Sequence, residues 1–176
     1  MIKLIGFAGF AGAGKTTAAK YLGEKHGYIR TSFATPIKDM LQILGLDTAH
    51  LSGHLKHTPT VLLGGKTPRE AMQTLGTEWG RNLVHPDLWV EQWTDAAREH
   101  LGARRRVVVD DVRFENEVRA IEELGGKVLY LATSRYFDPP QAVHPSESPP
   151  AGLHDIVIAD DIAEMKAQLD RVIGAA

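Results

Sequence analysis

Apolar and polar positions fall in blocks along this chain, and the blocks switch repeatedly between strand-like and helix-like periods. Residues Ile2 to Ala8 form a short, nearly continuous apolar run, the pattern of a buried strand. A glycine-rich turn follows, and Thr16 to Lys25 then reads as a helix. Tyr28 to Phe33 is a second strand pattern. Pro36 sits where a helix can begin, and Ile37, Met40, Leu41 and Leu44 recur at helical spacing. Residues 45–66 are broken by Gly45, Gly53, Pro59, Gly64 and Gly65. Pro68 suits the first turn of a helix carrying Ala71, Met72 and Leu75. Pro86 does the same for a helix holding Trp89, Trp93, Ala97 and Leu101.

Arg106 to Asp110 is the clearest later strand, three valines ending in the paired carboxylates Asp110 and Asp111. Residues 113–124 look helical and stop at Gly125-Gly126. Lys127 to Ala132 is another strand, and residues 138–152, with five of the nine prolines, are an irregular loop. Asp155 to Ala159 is a last short strand. Asp160 or Asp161 can cap a closing helix with Ile162, Met165, Leu169 and Ile173 on one face. Alternating strands and helices predict an α/β fold, a parallel sheet covered on both faces. No internal repeat and no separating linker is visible, so residues 1–176 read as one domain.

Composition narrows the picture. The chain has 176 residues, 43% hydrophobic and 24% charged, the profile of an ordinary soluble globular protein. It has no cysteine, which removes disulfides, Cys-ligated zinc and thiol nucleophiles, and is compatible with the cytoplasm. A formal charge of −2 argues against a dedicated nucleic-acid binder, and no apolar run approaches membrane-spanning length. The opening MIKLIGFAGFAGA loosely imitates a signal peptide, but it is interrupted by glycines and runs straight into Gly14-Lys15-Thr16.

That junction carries the chemistry. Residues 9–16, GFAGAGKT, match G-x-x-x-x-G-K-[ST] without deviation, after an apolar strand and before a helix. Such a phosphate loop lets backbone N–H groups of Ala11, Gly12, Ala13 and Gly14 turn inward on phosphate oxygens. The helix opened by Lys15, Thr16 and Thr17 offers its positive end to the same anion. Lys15 reaches the β- and γ-phosphates of ATP, and the Thr16 hydroxyl can hold Mg²⁺. A second Gly-Gly-Lys-Thr run at 64–67 lacks the first glycine, being Thr60 there, and reads as a loop.

The guanine-reading N-K-x-D is absent, since neither Asn82 nor Asn116 precedes a lysine, and no aspartate has glycine three places on. A signalling GTPase is thereby disfavoured, and the small size points to a small-molecule kinase. At the end of the second long apolar strand, Asp110 and Asp111 occupy the position of the carboxylate that helps hold Mg²⁺. Phosphoryl transfer also needs cations beyond Lys15, and Arg69, Arg81, Arg113 and Arg135 are the candidates. Arg113, two residues past the strand end, is the strongest by position. Arg104, Arg105 and Arg106 lie at the opposite strand end and read as a solvated edge. His50, His54 and His57 read as loop histidines rather than a metal site, and Trp89 and Trp93 as core anchors.

The chain resembles the deoxynucleoside monophosphate kinases of tailed bacteriophages. The matching pieces are GFAGAGKTTAA, SFATPIKDML (32–41), KTPREAMQTLGTEWGR (66–81) with HPDLWV (85–90), VVVDDVRFENEVRAI (107–121) and HPSES (144–148). The resemblance implies a five-stranded parallel sheet in the order 2-3-1-4-5, with a helical monophosphate-binding insertion at about 32–85 and a Pro-rich lid at about 134–152. It implies transfer of the ATP γ-phosphate to a deoxynucleotide 5′-phosphate, with Mg²⁺ held by Thr16 and Asp111, directly or through water. Ser32, Phe33, Lys38, Arg69, Trp79, Arg81 and Arg113 would then serve the acceptor. Lys15, Arg113, Asp111 and Arg69 would carry catalysis, and Arg135 would act from the lid, where His144 and Glu147 read either as closing contacts or as plain loop residues. A homodimer and a cytoplasmic location, in a host cell if phage-encoded, are the matching expectations. Another small acceptor such as dephospho-coenzyme A, or a nucleotide-binding protein without catalysis, are the alternatives.

Overall fold

The central strand β1 (Leu4–Ala8) is buried at every position, because parallel neighbours flank it on both sides. These are β3 (Arg106–Val109) and β4 (Lys127–Ala132), paired Gly6 with Val109 and Gly6 with Val128. The structure is a computed structural model that describes residues 2–132, 144, 150 and 156–174. Beyond β3 lies β2 (Tyr28–Thr31), and beyond β4 the three-residue β5 (Ile156–Ile158). The described sheet is wholly parallel, in the order β2-β3-β1-β4-β5.

Both faces of this sheet are covered, as the unbroken apolar strands require. On one face, Ile5, Phe7, Leu129 and Leu131 pack with Ala18, Ala19 and Leu22 of α1 (Lys15–His26) and Met165, Leu169 and Ile173 at α7 (Ile162–Val172). On the other, α6 (Glu115–Glu123) brings Ile121 so close to Gly6 that a Cβ there would lie 2.6 Å from its Cδ1. Asp161, rather than Asp160, caps α7, accepting from the Glu164 N–H at 2.8 Å.

The chain forms two compact units, Met1–Ser32 with Trp93–Ala176, and Phe33–Gln92. The first contains the sheet. The second holds α2 (Thr35–Ile43), the short α3 (Thr48–Leu51), a 3₁₀ turn (Val61–Leu63) and α4 (Pro68–Gln73). It ends in the first turn of α5 (Leu88–Gly102). Its core is Ile37, Leu41, Leu46, Leu51 and Trp89. The Gly64-Gly65-Lys66-Thr67 run is a turn, with both glycines at positive φ. Thr67 forms a reciprocal cap with Glu70, which starts α4.

One element departs from the helical spacing seen in the sequence. α4 runs directly into a π-helix, Thr74–Val84. The His85 N–H bonds the Gly80 carbonyl at 2.9 Å, continuing the five-residue step past the end of the element. The two glycines in this stretch face different side chains: a Cβ on Gly76 would lie 3.0 Å from Ile37 Cδ1, and the Trp89 indole covers Gly80. Its Nε1–H donates to the Gly76 carbonyl at 2.7 Å. A Cβ on Gly80 would lie 2.5 Å from the same ring. Periodicity alone could not reveal this, since it depends on a side chain nine residues further along.

Candidate functional site

The phosphate loop leaves β1 at its carboxyl end, where open α/β sheets place ligand crevices. Gly9 has φ 139° and presses against β4, a Cβ there falling 2.5 Å from the Leu131 carbonyl oxygen. Only glycine fits this exit. Gly12 and Gly14 also have positive φ, and Gly14 directly precedes α1. Ala13 is buried, whereas Ala11, Gly12, Thr16 and Thr17 are exposed. Lys15 is 9% exposed, and its ammonium donates to the carbonyls of Gly9 (2.6 Å) and Phe10 (2.7 Å). The loop thus folds around its own lysine, which needs no acidic partner from that loop.

The adjacent strand ends supply the carboxylates, with a shift of one residue from expectation. Thr16 was expected to share a metal with Asp111. Instead the Thr16 hydroxyl donates to Asp110 Oδ2 at 2.9 Å. Asp111 Oδ2 accepts from the Ser32 hydroxyl at 2.7 Å. The reason is the two-residue side-chain period at a strand end: neighbours turn to different sides, so only one of the pair can meet α1. Asp110 is 6% exposed, and Asp111 is half-buried.

Arg30 was missed in the sequence. It lies in β2, in register with Val108 of β3. Its Nη2 and Nε reach Asp110 Oδ2 at 2.7 and 3.1 Å. The available signal was positional: a lone arginine in an otherwise apolar and hydroxyl-bearing strand beside the one that carries the acid pair.

Arg113 follows this acid pair on a braced turn. Its N–H and that of Phe114 both donate to Glu117 Oε2, at 2.6 and 3.1 Å. Glu117 is 2% exposed, so a buried carboxylate ties the turn to the first turn of α6. The second glutamate of FENE, Glu117, is therefore structural, a role its motif did not reveal.

In the second unit the expected acceptor residues stand on several elements. Lys38 donates to the Ser52 hydroxyl at 3.0 Å, and Arg81 Nη1 to the Pro86 carbonyl at 3.0 Å. Arg69 stands in the first turn of α4, its N–H bonded to the Lys56 carbonyl at 2.9 Å. Glu70 beside it is engaged by Thr67 and Lys66, and the Thr67 N–H and hydroxyl hold its carboxyl below the usual range. Of the two aromatics expected to face a base, Phe33 is 3% exposed and Trp79 40%. Trp79 lies against Trp89, ring centroids 6.2 Å apart. Trp89 and Trp93 are buried, as core anchors should be.

Arg135, Glu147 and nearly all of the expected lid at 134–152 lie outside the described residues. His144 is described and partly exposed. Among the described residues no group of three or more His, Cys, Asp and Glu side chains could hold a metal, and His50 pairs with Asp47 at 2.7 Å. No described helix is long and apolar enough to cross a membrane.

A phosphate loop on a parallel α/β sheet, with a hydroxyl at the start of α1 bonded to a carboxylate at the end of β3, defines the phosphate-loop class of nucleotide-binding folds. Solved kinases share the fold. A sugar kinase from Janibacter sp. HTCC2649 aligns over 100% of this chain and 96% of its own, with TM-score 0.52 and 12% identity. Dephospho-CoA kinase from Campylobacter jejuni aligns over 99% and 96%, with TM-score 0.50 and 14% identity. The profile of the deoxynucleotide monophosphate kinase family matches residues 65–165. An Acanthamoeba polyphaga mimivirus protein, named provisionally as a deoxynucleotide monophosphate kinase, is 32% identical over 94% of this chain and 93% of its own. The chain belongs to the deoxynucleotide monophosphate kinase family, a family of phosphotransferases.

Proposed function

We propose that this chain transfers the γ-phosphate of ATP to the 5′-phosphate of a deoxynucleoside monophosphate, giving ADP and a deoxynucleoside diphosphate. The observation that carries the reading is the Lys15 loop beside the Thr16–Asp110 pair, in a chain of this family. Lys15 is the mobile cation. Its bonds to two loop carbonyls are replaceable by phosphate oxygens, so charge can follow the group in transfer. The exposed loop amides and the start of α1 hold the remaining phosphate charge.

The donor set fits Mg²⁺. It is all oxygen, and the described hydrogen bonds to the buried Asp110 carboxylate all end on Oδ2, leaving Oδ1 without a donor among the described residues. Thr16 and Asp110 would hold the ion, in place of the Thr16–Asp111 pair expected from the sequence. When bound, the ion supplies charge neutralisation on the β- and γ-phosphate oxygens.

No general base is required of the protein. A phosphate monoester has a second pKa of about 6, so the acceptor is largely a dianion at neutral pH. The protein's task is positioning and charge. Arg113, on its braced turn, is the cation for the transferring group. Arg69, Lys38, Arg81 and Ser32 serve the acceptor phosphate, and Trp79 has ring surface to offer its base.

ADP release measured with a panel of deoxynucleoside monophosphates, their ribose counterparts and dephospho-coenzyme A tests the reading. Turnover with one or more deoxynucleotides is expected. Turnover with dephospho-coenzyme A alone moves the chain to another acceptor, and ATP binding without turnover makes it a regulatory or assembly protein.

A further inference from the structure

The Asp110 carboxylate is loaded on one side only. Oδ2 accepts three donors: Thr16 Oγ1 at 2.9 Å, Arg30 Nη2 at 2.7 Å and Arg30 Nε at 3.1 Å. Oδ1 receives none among the described residues, although the side chain is only 5% exposed. A buried carboxylate oxygen without a donor normally carries a desolvation penalty. Meanwhile Arg30 keeps 44% of its side chain exposed, so burial alone does not hold it there. It is drawn by the charge it meets. Its strand is fixed to β3 in register, Arg30 opposite Val108, two residues before the acid.

The geometry points to Arg30 as the positioning residue that prepares Asp110 for the metal–nucleotide complex. This rests on the kinase reading above. The guanidinium does two things. It neutralises a carboxylate that would otherwise be an isolated buried charge, and it fixes which oxygen is occupied. Thr16 is thereby also oriented. Its hydroxyl hydrogen is committed to Oδ2, which leaves the lone pairs of Oγ1 free to act as a ligand. Arg30 thus acts through Asp110 and Thr16, and touches neither nucleotide nor metal. A competing role, in which Arg30 blocks the metal by occupying its ligand, requires the guanidinium to spread over both oxygens. It uses one.

Partners of a metal's ligands commonly change metal affinity by about 10–100-fold when removed. Arg30→Met and Arg30→Lys are therefore compared with the unmodified chain by calorimetric binding of a non-hydrolysable ATP analogue, with Mg²⁺ and with EDTA. Arg30→Met is expected to reduce the Mg²⁺-dependent gain in affinity by about tenfold or more. Binding in EDTA, which rests on Lys15 and the loop amides, should be unchanged. Arg30→Lys should recover part of the loss, because it restores the charge without the two-point grip. If Arg30→Met does not fold, Arg30→Gln, which keeps a donor without charge, carries the comparison. An unaltered Mg²⁺ gain overturns the inference. So does an equal fall with and without Mg²⁺, which is the signature of a merely structural arginine. If the unmodified chain shows no Mg²⁺-dependent gain at all, the kinase reading itself fails, an outcome distinct from either.

Discussion

The phosphate loop of the first unit and the expected acceptor residues of the second hold their charged side chains differently. At the phosphate loop of the first, one cation and one acid are enclosed: Lys15 and Asp110 are 9% and 6% exposed, Lys15 bonding the Gly9 and Phe10 carbonyls and Asp110 accepting from Thr16 and Arg30. The donor-side geometry is fixed before any ligand arrives. In the second, Lys38 bonds a surface hydroxyl and Arg81 a turn carbonyl, and Trp79 remains 40% exposed. On the function proposed above, a constant triphosphate donor would suit a rigid backbone cradle, and a nucleotide acceptor would suit side chains on short, locally capped elements. If that contrast is right, damage to the first unit removes chemistry, and damage to the second removes recognition or local stability.

The sharpest test is Lys15→Met. The loop backbone survives, since its shape comes from positive-φ glycines, while the cation that accompanies the transferring phosphate is lost. Turnover should drop by at least about a hundredfold with little change in melting temperature. Near-normal turnover would falsify the phosphate-loop assignment.

Arg69→Ala probes the other unit and should show the opposite signature. An arginine in the first turn of α4 can grip a phosphate with two parallel bonds, aided by the helix start. The acceptor KM should rise by about tenfold or more, each tenfold being about 1.4 kcal/mol, while the ATP KM stays put. Arg69→Lys should recover only part. Steady-state kinetics varying each substrate in turn decides it, and movement of the ATP constant alone reverses the division between the units.

Gly80→Ala breaks the second unit by packing rather than charge. In an ordinary helix interior the change is worth up to about 1 kcal/mol of added stability. Here the new methyl would sit 2.5 Å from the Trp89 ring, which is 4% exposed and tethered to Gly76. Overpacking of about 1–3 kcal/mol therefore wins, and the urea midpoint should fall. Gly102→Ala is the control, because nothing lies within 4 Å of a Cβ there. If the two substitutions move the midpoint alike, Trp89 does not hold the π-helix as described.

Much of this was legible from residue order because the donor side is a local device. Strand, glycine turn, lysine and helix are consecutive, so GFAGAGKT carries its own geometry. The strands β1, β3 and β4 were legible for a similar reason: burial on both faces leaves unbroken apolar runs. What could not be read is what depends on distant pairs. The choice between Asp110 and Asp111 is set by which one meets Thr16, 94 positions away. Arg30 reaches Asp110 because β2 pairs with β3, and the π-helix is met from beyond its end by Trp89, at the Gly76 carbonyl and over Gly80. Glu117 reads as one more exposed helix acid until its two backbone donors are seen.

The smallest effect should come from the clasp between α1, the helix that opens with Lys15, and α7. Asp170 accepts from Lys25 at 2.6 Å, Tyr21 at 2.8 Å and His26 at 2.7 Å, and Lys166 lies 5.2 Å over the Tyr21 ring. The hydrogen bond from Lys25, aided by those from Tyr21 and His26, lowers the Asp170 carboxyl from 3.8 to about 2. The same contact raises the Lys25 ammonium above its ordinary value. A carboxyl that is more acidic in the folded chain stabilises it fully above the unfolded value of 3.8, and the contribution disappears as pH falls through about 2. Both partners are at the surface, so the effect is modest and weakens with salt. The melting temperature of Asp170→Asn should therefore lie slightly below that of the unmodified chain at neutral pH. The gap should begin to close below about 3.8 and vanish near 2, with Lys15-dependent turnover unaffected at neutral pH. Adding salt at neutral pH should narrow the gap as well. A gap that stays constant across the acid range means that Asp170 acts by shape alone, and that the clasp on α1 is not electrostatic.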